Sequence, residues 1–342
     1  LKIFTKDKEV SMALKVAING FGRIGRHIFR QIIKDPSFEV IAINDITDAP
    51  TLAHLLSYDS AYGRFENQVS VSENAIEVAG KEVKVLCKSS IDGNVWGELG
   101  ADFVFESTGK YAKGDKVRIH NENGAKWTMI TAPAKGVDMM VVYGVNHQKL
   151  DKEKHRVISN ASCTTNCLAP VVKVIHENFG LIHGLLTTVH AVTNDQRLLD
   201  LPHSDLRRAR AAIASMIPTT TGAAKAIGEV MPELKGKLDG VSVRVPTITV
   251  SLVDLTFTTE KPISKDALNE AFHRAKEGSL KGILDITELP LVSVDFLRDS
   301  HSAIVDGLST MTMGDKLGKV FAWYDNEWGY ATRCVDVAKL FL

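Results

Sequence analysis

The sequence predicts two domains: an α/β unit built on a parallel sheet, then an α+β unit with a largely antiparallel or mixed sheet. Three observations carry that prediction. The chain has 342 residues, long for a single hydrophobic core. Its first part opens with Val16-Ala17-Ile18, apolar positions at helical spacing from Ile24 to Ile33, and a second apolar, β-branched run from Phe38 to Ile43. That order is a βαβ unit, the seed of a parallel sheet with helices on its faces. Beyond about residue 184 the texture changes to longer, β-rich runs.

Taken in order, further strands are expected at Val83 to Leu86, Phe103 to Phe105 and Met129-Ile130. The Lys- and Asp-rich stretch Ala112 to Glu122 reads as a solvated helix, and Leu168 to Phe179 as an apolar one, with Pro170 expected to bend it locally. The second unit offers strands at Gly184 to Val192, Gly240 to Val245, Thr247 to Phe257 and Leu291 to Phe296. Between His190 and Pro218 lies an irregular segment carrying Arg197, Arg207, Arg208 and Arg210, which by itself reads equally well as a solvated basic helix.

Composition narrows the partners. Hydrophobic residues make up 44% and charged residues 24%, ordinary for a soluble globular protein. Forty-one basic and 41 acidic side chains cancel, so bulk charge points to neither nucleic acid nor an anionic membrane. Four cysteines are too few for a disulfide scaffold, and no second ligand pair suits a zinc site, so no metal is expected. Leu1 to Ser11 precede a Met12 that reads as a start. They contain Asp7 and Glu9 but no arginine, so residues 1–12 read as an N-terminal extension or tag and not as a transit peptide. A working thiolate needs a reducing compartment, and the cytoplasm is the expected location.

Gly20-Phe21-Gly22-Arg23-Ile24-Gly25 is a GxGxxG turn directly after a strand and opening a helix. Gly20 permits the tight turn, Gly22 lets backbone approach a pyrophosphate, and Gly25 allows close helix–strand packing. Backbone N–H groups at the helix start supply an anion site. Asp45, some 20 residues on at the end of the second strand, stands where a carboxylate binds a ribose hydroxyl. No Lys or Arg follows in Ile46-Thr47-Asp48, and a carboxylate repels a 2′-phosphate, so NAD is expected over NADP. The first unit is thus read as a Rossmann dinucleotide-binding domain.

The run Ser159-Asn160-Ala161-Ser162-Cys163-Thr164-Thr165-Asn166-Cys167 places a thiol just ahead of the apolar helix. A cysteine at a helix N-terminus feels the positive end of the macrodipole, which favours thiolate. His190 ends the strand-like Thr187-Thr188-Val189-His190 and is a candidate base. On these residues alone, Cys163 reads as a nucleophile or as a small buried hydrophobe.

The cysteine run resembles the active-site signature of the phosphorylating glyceraldehyde-3-phosphate dehydrogenase family of glycolysis, and the resemblance extends from about Leu14 to the C-terminus. It implies a Rossmann domain over residues 13–162, a catalytic domain over 163–326 and a C-terminal helix, 327–342, that returns to the first domain. It implies Cys163 as nucleophile and His190 as base. Pyrophosphate would meet the backbone of Arg23 and Ile24, Thr108 in Glu106-Ser107-Thr108-Gly109 would lie beside the cofactor, and Asn326 would orient the nicotinamide carboxamide. Leu201-Pro202 stands where NAD-dependent members often carry that pair. Arg244, Thr193 and Asp195 fall in the substrate-phosphate neighbourhood, and Ser162, Thr164, Thr221 and Gly222 near the attacking inorganic phosphate. The implied reaction oxidises glyceraldehyde 3-phosphate to 1,3-bisphosphoglycerate through a Cys163 thiohemiacetal and thioester. The arginine-bearing segment would pack at a subunit interface of a homotetramer.

Erythrose-4-phosphate dehydrogenase, a relative with the same fold, cofactor and thiol, is the nearest rival. Thr193 to Arg197 and Thr219 to Lys225 look like the glycolytic family instead. A thiol hydrolase leaves GxGxxG and Asp45 unexplained. A non-catalytic binding protein leaves Cys163, His190 and Arg244 without a role.

Overall fold

A computed structural model describes residues 13–342 except 114, 115 and 117; the extension or tag expected over residues 1–12 lies outside the described residues. The first sheet has nine strands. Seven run parallel in the spatial order Met139–Met140, Val157–Ser159, Trp127–Ile130, Phe103–Glu106, Leu14–Asn19, Phe38–Asn44 and Lys81–Val85. Ala75–Val78 and Val69–Ser72 extend the edge as an antiparallel meander. The chain starts in the middle of the sheet, builds outward on one side, then returns to build the other. Leu14–Asn19 therefore lies at the topological switch point, and the crevice there opens between the strand ends Asn19, Asn44 and Glu106. The edge meander was not foreseen, because its strands have four residues each and expose much of their polar face.

Helix Arg23–Ile32 packs on this sheet through Ile28, Phe29 and Ile32, all fully buried. The C-terminal helix Trp328–Ala338 joins the same core through Tyr330, Ala331, Cys334, Val335, Val337 and Ala338. The last segment of the chain thus returns to the first domain.

The second sheet has eight strands. Seven form the path Ile217–Thr220, Leu238–Arg244, Leu181–His190, Ser251–Thr259, Leu317–Tyr324, Ala303–Asp306 and Leu284–Thr287, and Met311–Met313 pairs with Leu317–Tyr324. Most pairs are antiparallel, but Leu181–His190 runs parallel to Leu238–Arg244, and Leu284–Thr287 to Ala303–Asp306. The sheet is therefore mixed. Residues alternate between buried and partly exposed along Ser251–Thr259, as expected for a sheet covered on one face. Helices Cys163–Phe179, Ala223–Val230 and Lys265–Glu277 supply apolar residues to the buried side.

Four expected elements are corrected. The segment Leu291 to Phe296 is not a strand: Ser293–Phe296 is a 3₁₀ turn, closed by the Asp295 carboxylate accepting from Val292 N at 2.8 Å, with Val292 and Val294 exposed. The strand expected from Thr247 starts only at Ser251, because Val250 sits at φ +67°, outside the extended region. Among the described residues of Ala112 to Glu122, the α-helix covers Ile119–Glu122, and its His120 is fully buried where a solvated helix was expected. His120 is drawn inward by two polar partners, Trp96 and Glu106. The long helix starts at Cys163, five residues earlier than its apolar run suggested, and continues through Pro170.

Candidate functional site

The glycine turn meets its neighbours closely. Gly20 has φ +93°, and a Cβ there would stand 2.6 Å from Thr108 N. A Cβ on Gly25 would stand 2.1 Å from the Gly20 carbonyl oxygen. Gly22 differs, since nothing lies within 4 Å of the position its Cβ would take. That empty side faces the crevice. Helix Arg23–Ile32 starts there with no side-chain cap, so Arg23, Ile24 and Gly25 present N–H groups that have no intrahelical partner.

A cleft of about 220 Å³ opens here, lined in part by Asn19, Gly20, Gly22, Asn44, Asp45 and Thr108. Asp45 Oδ2 accepts from Phe21 N at 2.6 Å and Oδ1 from Ile46 N at 2.7 Å, which fixes the carboxylate at the mouth of the glycine turn. The floor is a buried polar chain. Asn44 Nδ2 donates to Asn19 Oδ1 (2.7 Å), and Asn19 Nδ2 donates to Glu106 Oε2 (2.5 Å). Glu106 also accepts from Thr108 N (2.8 Å) and from His120 Nε2 (2.6 Å). His120 Nδ1 accepts from Trp96 Nε1, so the ring proton sits on Nε2 and points at Glu106. Burial opposes charge on Glu106, yet these donors hold its carboxyl below the usual range. Cleft, uncapped helix start and anchored Asp45 fit a dinucleotide. No Lys or Arg stands beside Asp45 in the sequence; the fold brings Lys88 and Lys110 to the same cleft from distant segments.

The second centre forms where the two sheets meet. Cys163 is the first residue of its helix, and Ser162 caps it, Oγ accepting from Thr165 N at 3.0 Å. His190 ends its strand, and parallel register sets it beside Arg244 at the end of the next. Cys163 Sγ lies 3.4 Å from His190 Nε2. His190 Nδ1 lies 2.7 Å from the Ala191 carbonyl oxygen and also against Arg244 Nη1; in the tautomer whose Nδ1–H donates to that carbonyl, the Nε2 lone pair faces the thiol. Burial, followed by the neighbouring Arg244 charge, pushes His190 down to about 3, so the imidazole is neutral. The lowering expected for Cys163 at a helix N-terminus is overturned: burial raises the thiol above its ordinary value, and Arg244 and bonds from Thr164 pull only partly the other way. A thiol facing an unprotonated imidazole nitrogen can form a nucleophile as the imidazole takes its proton.

Arg244 Nη1 lies against His190 Nδ1 and donates to Ala191 O at 3.3 Å. Arg208 pairs with Asp195, and its Nε donates to Thr219 Oγ1 at 2.9 Å. Burial, and next among the protein's cations Arg208, lower the Arg244 pKa, so two guanidinium groups feel each other here. Such a pair suits anions bearing several oxygens. Arg208 was not singled out individually in the sequence, because nothing in its spacing separates it from Arg197, Arg207 and Arg210.

The other expected residues divide. Asn326 is buried, with Oδ1 accepting from Ser251 Oγ at 2.9 Å. Thr193 N donates to Gln196 Oε1, Thr221 Oγ1 accepts from Ala223 N, and Gly222 caps helix Ala223–Val230. Thr164 turns its hydroxyl inward, 2.9 Å from Tyr324 Oη, which also meets Thr188 Oγ1 at 2.9 Å. In this arrangement the Thr164 side chain buttresses the site from below. Cys167 is fully buried, its Sγ near the Ala322 carbonyl oxygen, and burial pushes its thiol well above the ordinary value.

Comparison with known proteins agrees with this geometry. Residues 14–114 match the NAD-binding domain of glyceraldehyde 3-phosphate dehydrogenase, and residues 162–326 match the C-terminal domain. The chain is 56% identical over 327 residues to glyceraldehyde-3-phosphate dehydrogenase of Geobacillus stearothermophilus, covering 96% of this chain and 98% of the relative. It is 53% identical to glyceraldehyde-3-phosphate dehydrogenase 1 of Bacillus cereus (95% and 97% covered) and 52% identical to glyceraldehyde-3-phosphate dehydrogenase 2 of Bacillus subtilis strain 168 (96% and 96%). With both domains matched and relatives this similar along nearly its whole length, the chain belongs to the glyceraldehyde 3-phosphate dehydrogenase family.

Proposed function

We propose that this protein oxidises D-glyceraldehyde 3-phosphate with NAD and inorganic phosphate, giving 1,3-bisphosphoglycerate and NADH. The observation that carries this reading is the 3.4 Å approach of Cys163 Sγ to His190 Nε2, with Arg244 alongside and a dinucleotide cleft in the same chain. Residues 13–162 form the cofactor domain, 163–326 the catalytic domain, and 327–342 the returning helix.

His190 takes the thiol proton, the Cys163 thiolate adds to the aldehyde carbon, and the protonated imidazole returns that proton to the carbonyl oxygen, giving a thiohemiacetal. His190 then accepts the hydroxyl proton as the carbon is oxidised to a thioester. Bound NAD supplies the hydride acceptor. Arg244, with Thr193 and Asp195, holds the substrate phosphate. Ser162, Thr164, Thr221 and Gly222 frame the acceptor phosphate, with Thr164 acting through its backbone and its buttress on Tyr324. The phosphate oxygen attacks the thioester carbon, and the Cys163 thiolate leaves with the bond electrons. A thioester keeps much of the oxidation energy available for this transfer. Gly20, Gly22 and Gly25 with the Arg23 and Ile24 backbone receive the pyrophosphate. Asp45 and Thr108 border the adenosine half, and Asn326 orients the nicotinamide carboxamide.

NADH absorbance with glyceraldehyde 3-phosphate, with and without phosphate, tests the activity. Cys163→Ser is expected to lower turnover by several orders of magnitude while NAD still binds. His190→Asn is expected to lower it by about 10² to 10⁴. Near-normal turnover in either variant contradicts its assignment.

Asp45 sets cofactor choice, because an anchored carboxylate repels a 2′-phosphate and outweighs the flexible Lys88 and Lys110. Side-by-side kinetics are expected to show a strong preference for NAD, narrowed in Asp45→Gly. A wild-type preference for NADP overturns this.

We also propose a homotetramer in the cytoplasm, whose reducing conditions keep Cys163 active. Leu185 (68%) and Val241 (51%) lie exposed on the open face of the second sheet, and the segment after His190 exposes Leu198, Leu199, Leu201, Leu206, Ile213 and Met216. Apolar exposure on this scale marks protein contact surfaces. No described helix is long and apolar enough to cross a membrane. Light scattering at micromolar concentration is expected to give four times the 37.4 kDa chain mass, and a monomer mass rejects the assembly.

A further inference from the structure

The residues on either side of Asn326 are both held by the first domain. Glu327 is gripped by the Arg23 guanidinium, with Nε donating to Oε1 at 2.8 Å and Nη2 to Oε2. Arg23 Nη1 donates in turn to Asp59 Oδ2 at 2.8 Å. Asp325 Oδ1 accepts from Tyr62 Oη at 2.6 Å, and Tyr62 N donates to Asp59 Oδ1 at 3.0 Å. The two arms therefore close on Asp59, a buried carboxylate shared by both. Burial opposes charge on Glu327, yet Arg23 keeps its carboxyl below the usual range. A bidentate, partly buried pair of this kind fixes direction as well as distance.

Arg23 is also the first residue of the glycine-turn helix, where an uncapped backbone N–H faces the crevice. One residue thus presents its backbone to the pyrophosphate position and its side chain to the neighbour of Asn326. We propose that Arg23 is a positioning residue for hydride transfer: through Glu327 it carries the placement of the pyrophosphate-binding helix start to Asn326, and so fixes which nicotinamide face is turned toward the Cys163 adduct. This rests on the reading of Asn326 as the group that orients the carboxamide. Arg23 touches no reacting atom, and its loss acts on orientation and leaves the thiol chemistry intact.

The test uses the full-length enzyme with NAD and aldehyde-deuterated glyceraldehyde 3-phosphate, reading the epimer formed at C4 of the reduced cofactor by NMR and the single-turnover rate. Wild type is expected to give one epimer. Arg23→Lys keeps the charge but loses the two-pronged grip; it is expected to yield a detectable share of the opposite epimer and a rate about tenfold lower, less than the roughly 10²-fold that a full ~1 Å misplacement can cost. NAD affinity and Cys163 alkylation are expected to stay within about threefold, less than half a logarithmic unit or ~0.7 kcal/mol. Glu327→Gln preserves shape and the Arg23–Asp59 pair, is expected to show the same pattern, and carries the test if Arg23→Lys does not fold. Wild-type stereochemistry and rate in a folded variant overturn the proposal. Asn326→Ala separates the two readings. If it scrambles the epimers while Arg23→Lys and Glu327→Gln do not, the relay is wrong. If it leaves them unchanged, the role given to Asn326 fails.

Discussion

The 3.4 Å approach of Cys163 to His190 depends on nearly every large feature of this fold. Cys163 starts a helix that follows directly from the last parallel strand of the first sheet, Val157–Ser159. His190 ends the first strand of the second sheet, and its place is set by parallel pairing with Leu238–Arg244. The helix between them buries Leu168, Val171, Val172 and Ile175 against that second sheet. A shift of one residue in either register would turn His190 away from the thiol, because side chains alternate across a strand. Packing of a large apolar core is thus what holds two small polar groups in line.

Electrostatics at that contact set opposing effects against each other, and burial outweighs the rest. The helix start and Arg244 favour thiolate, whereas burial favours the neutral thiol and, together with Arg244, the neutral imidazole. A neutral His190 is the form that can accept a proton, so the resting state is prepared for proton transfer from the thiol or from a bound hydroxyl. Arg244 has two parts in this. It suppresses His190 protonation and offers donors to an anion, so the same charge that readies the base also attracts the substrate.

Sequence alone revealed what is local. The glycine turn, Asp45 and the cysteine run each lie within a few consecutive residues, and the physical demands of a tight turn or a helix start fix their residue types. The βαβ opening and the mixed second sheet were legible from periodicity. Long-range pairing was not. Arg23 and Glu327 are 304 residues apart, Asn19 and Glu106 87 apart, and nothing in either segment announces the other. The same holds for Lys88 in the Asp45 cleft and for the inward turn of Thr164 onto Tyr324. His120 was misjudged for a related reason: its sequence neighbours are polar, but its partners Trp96 and Glu106 come from elsewhere in the domain. The Leu291 to Phe296 error arose because β-branched residues in a short run are equally at home in a turn whose ends are tied by a carboxylate.

The central claim is that oxidation leaves its product on Cys163 and that phosphate removes it. Mass spectrometry of the enzyme mixed with NAD and glyceraldehyde 3-phosphate in phosphate-free buffer tests this directly. The account predicts about one 3-phosphoglyceroyl group per chain, located on the Cys163 peptide and lost on adding phosphate as the acyl phosphate appears. Steady, full-rate NADH formation without phosphate and with no acyl group on Cys163 would contradict it.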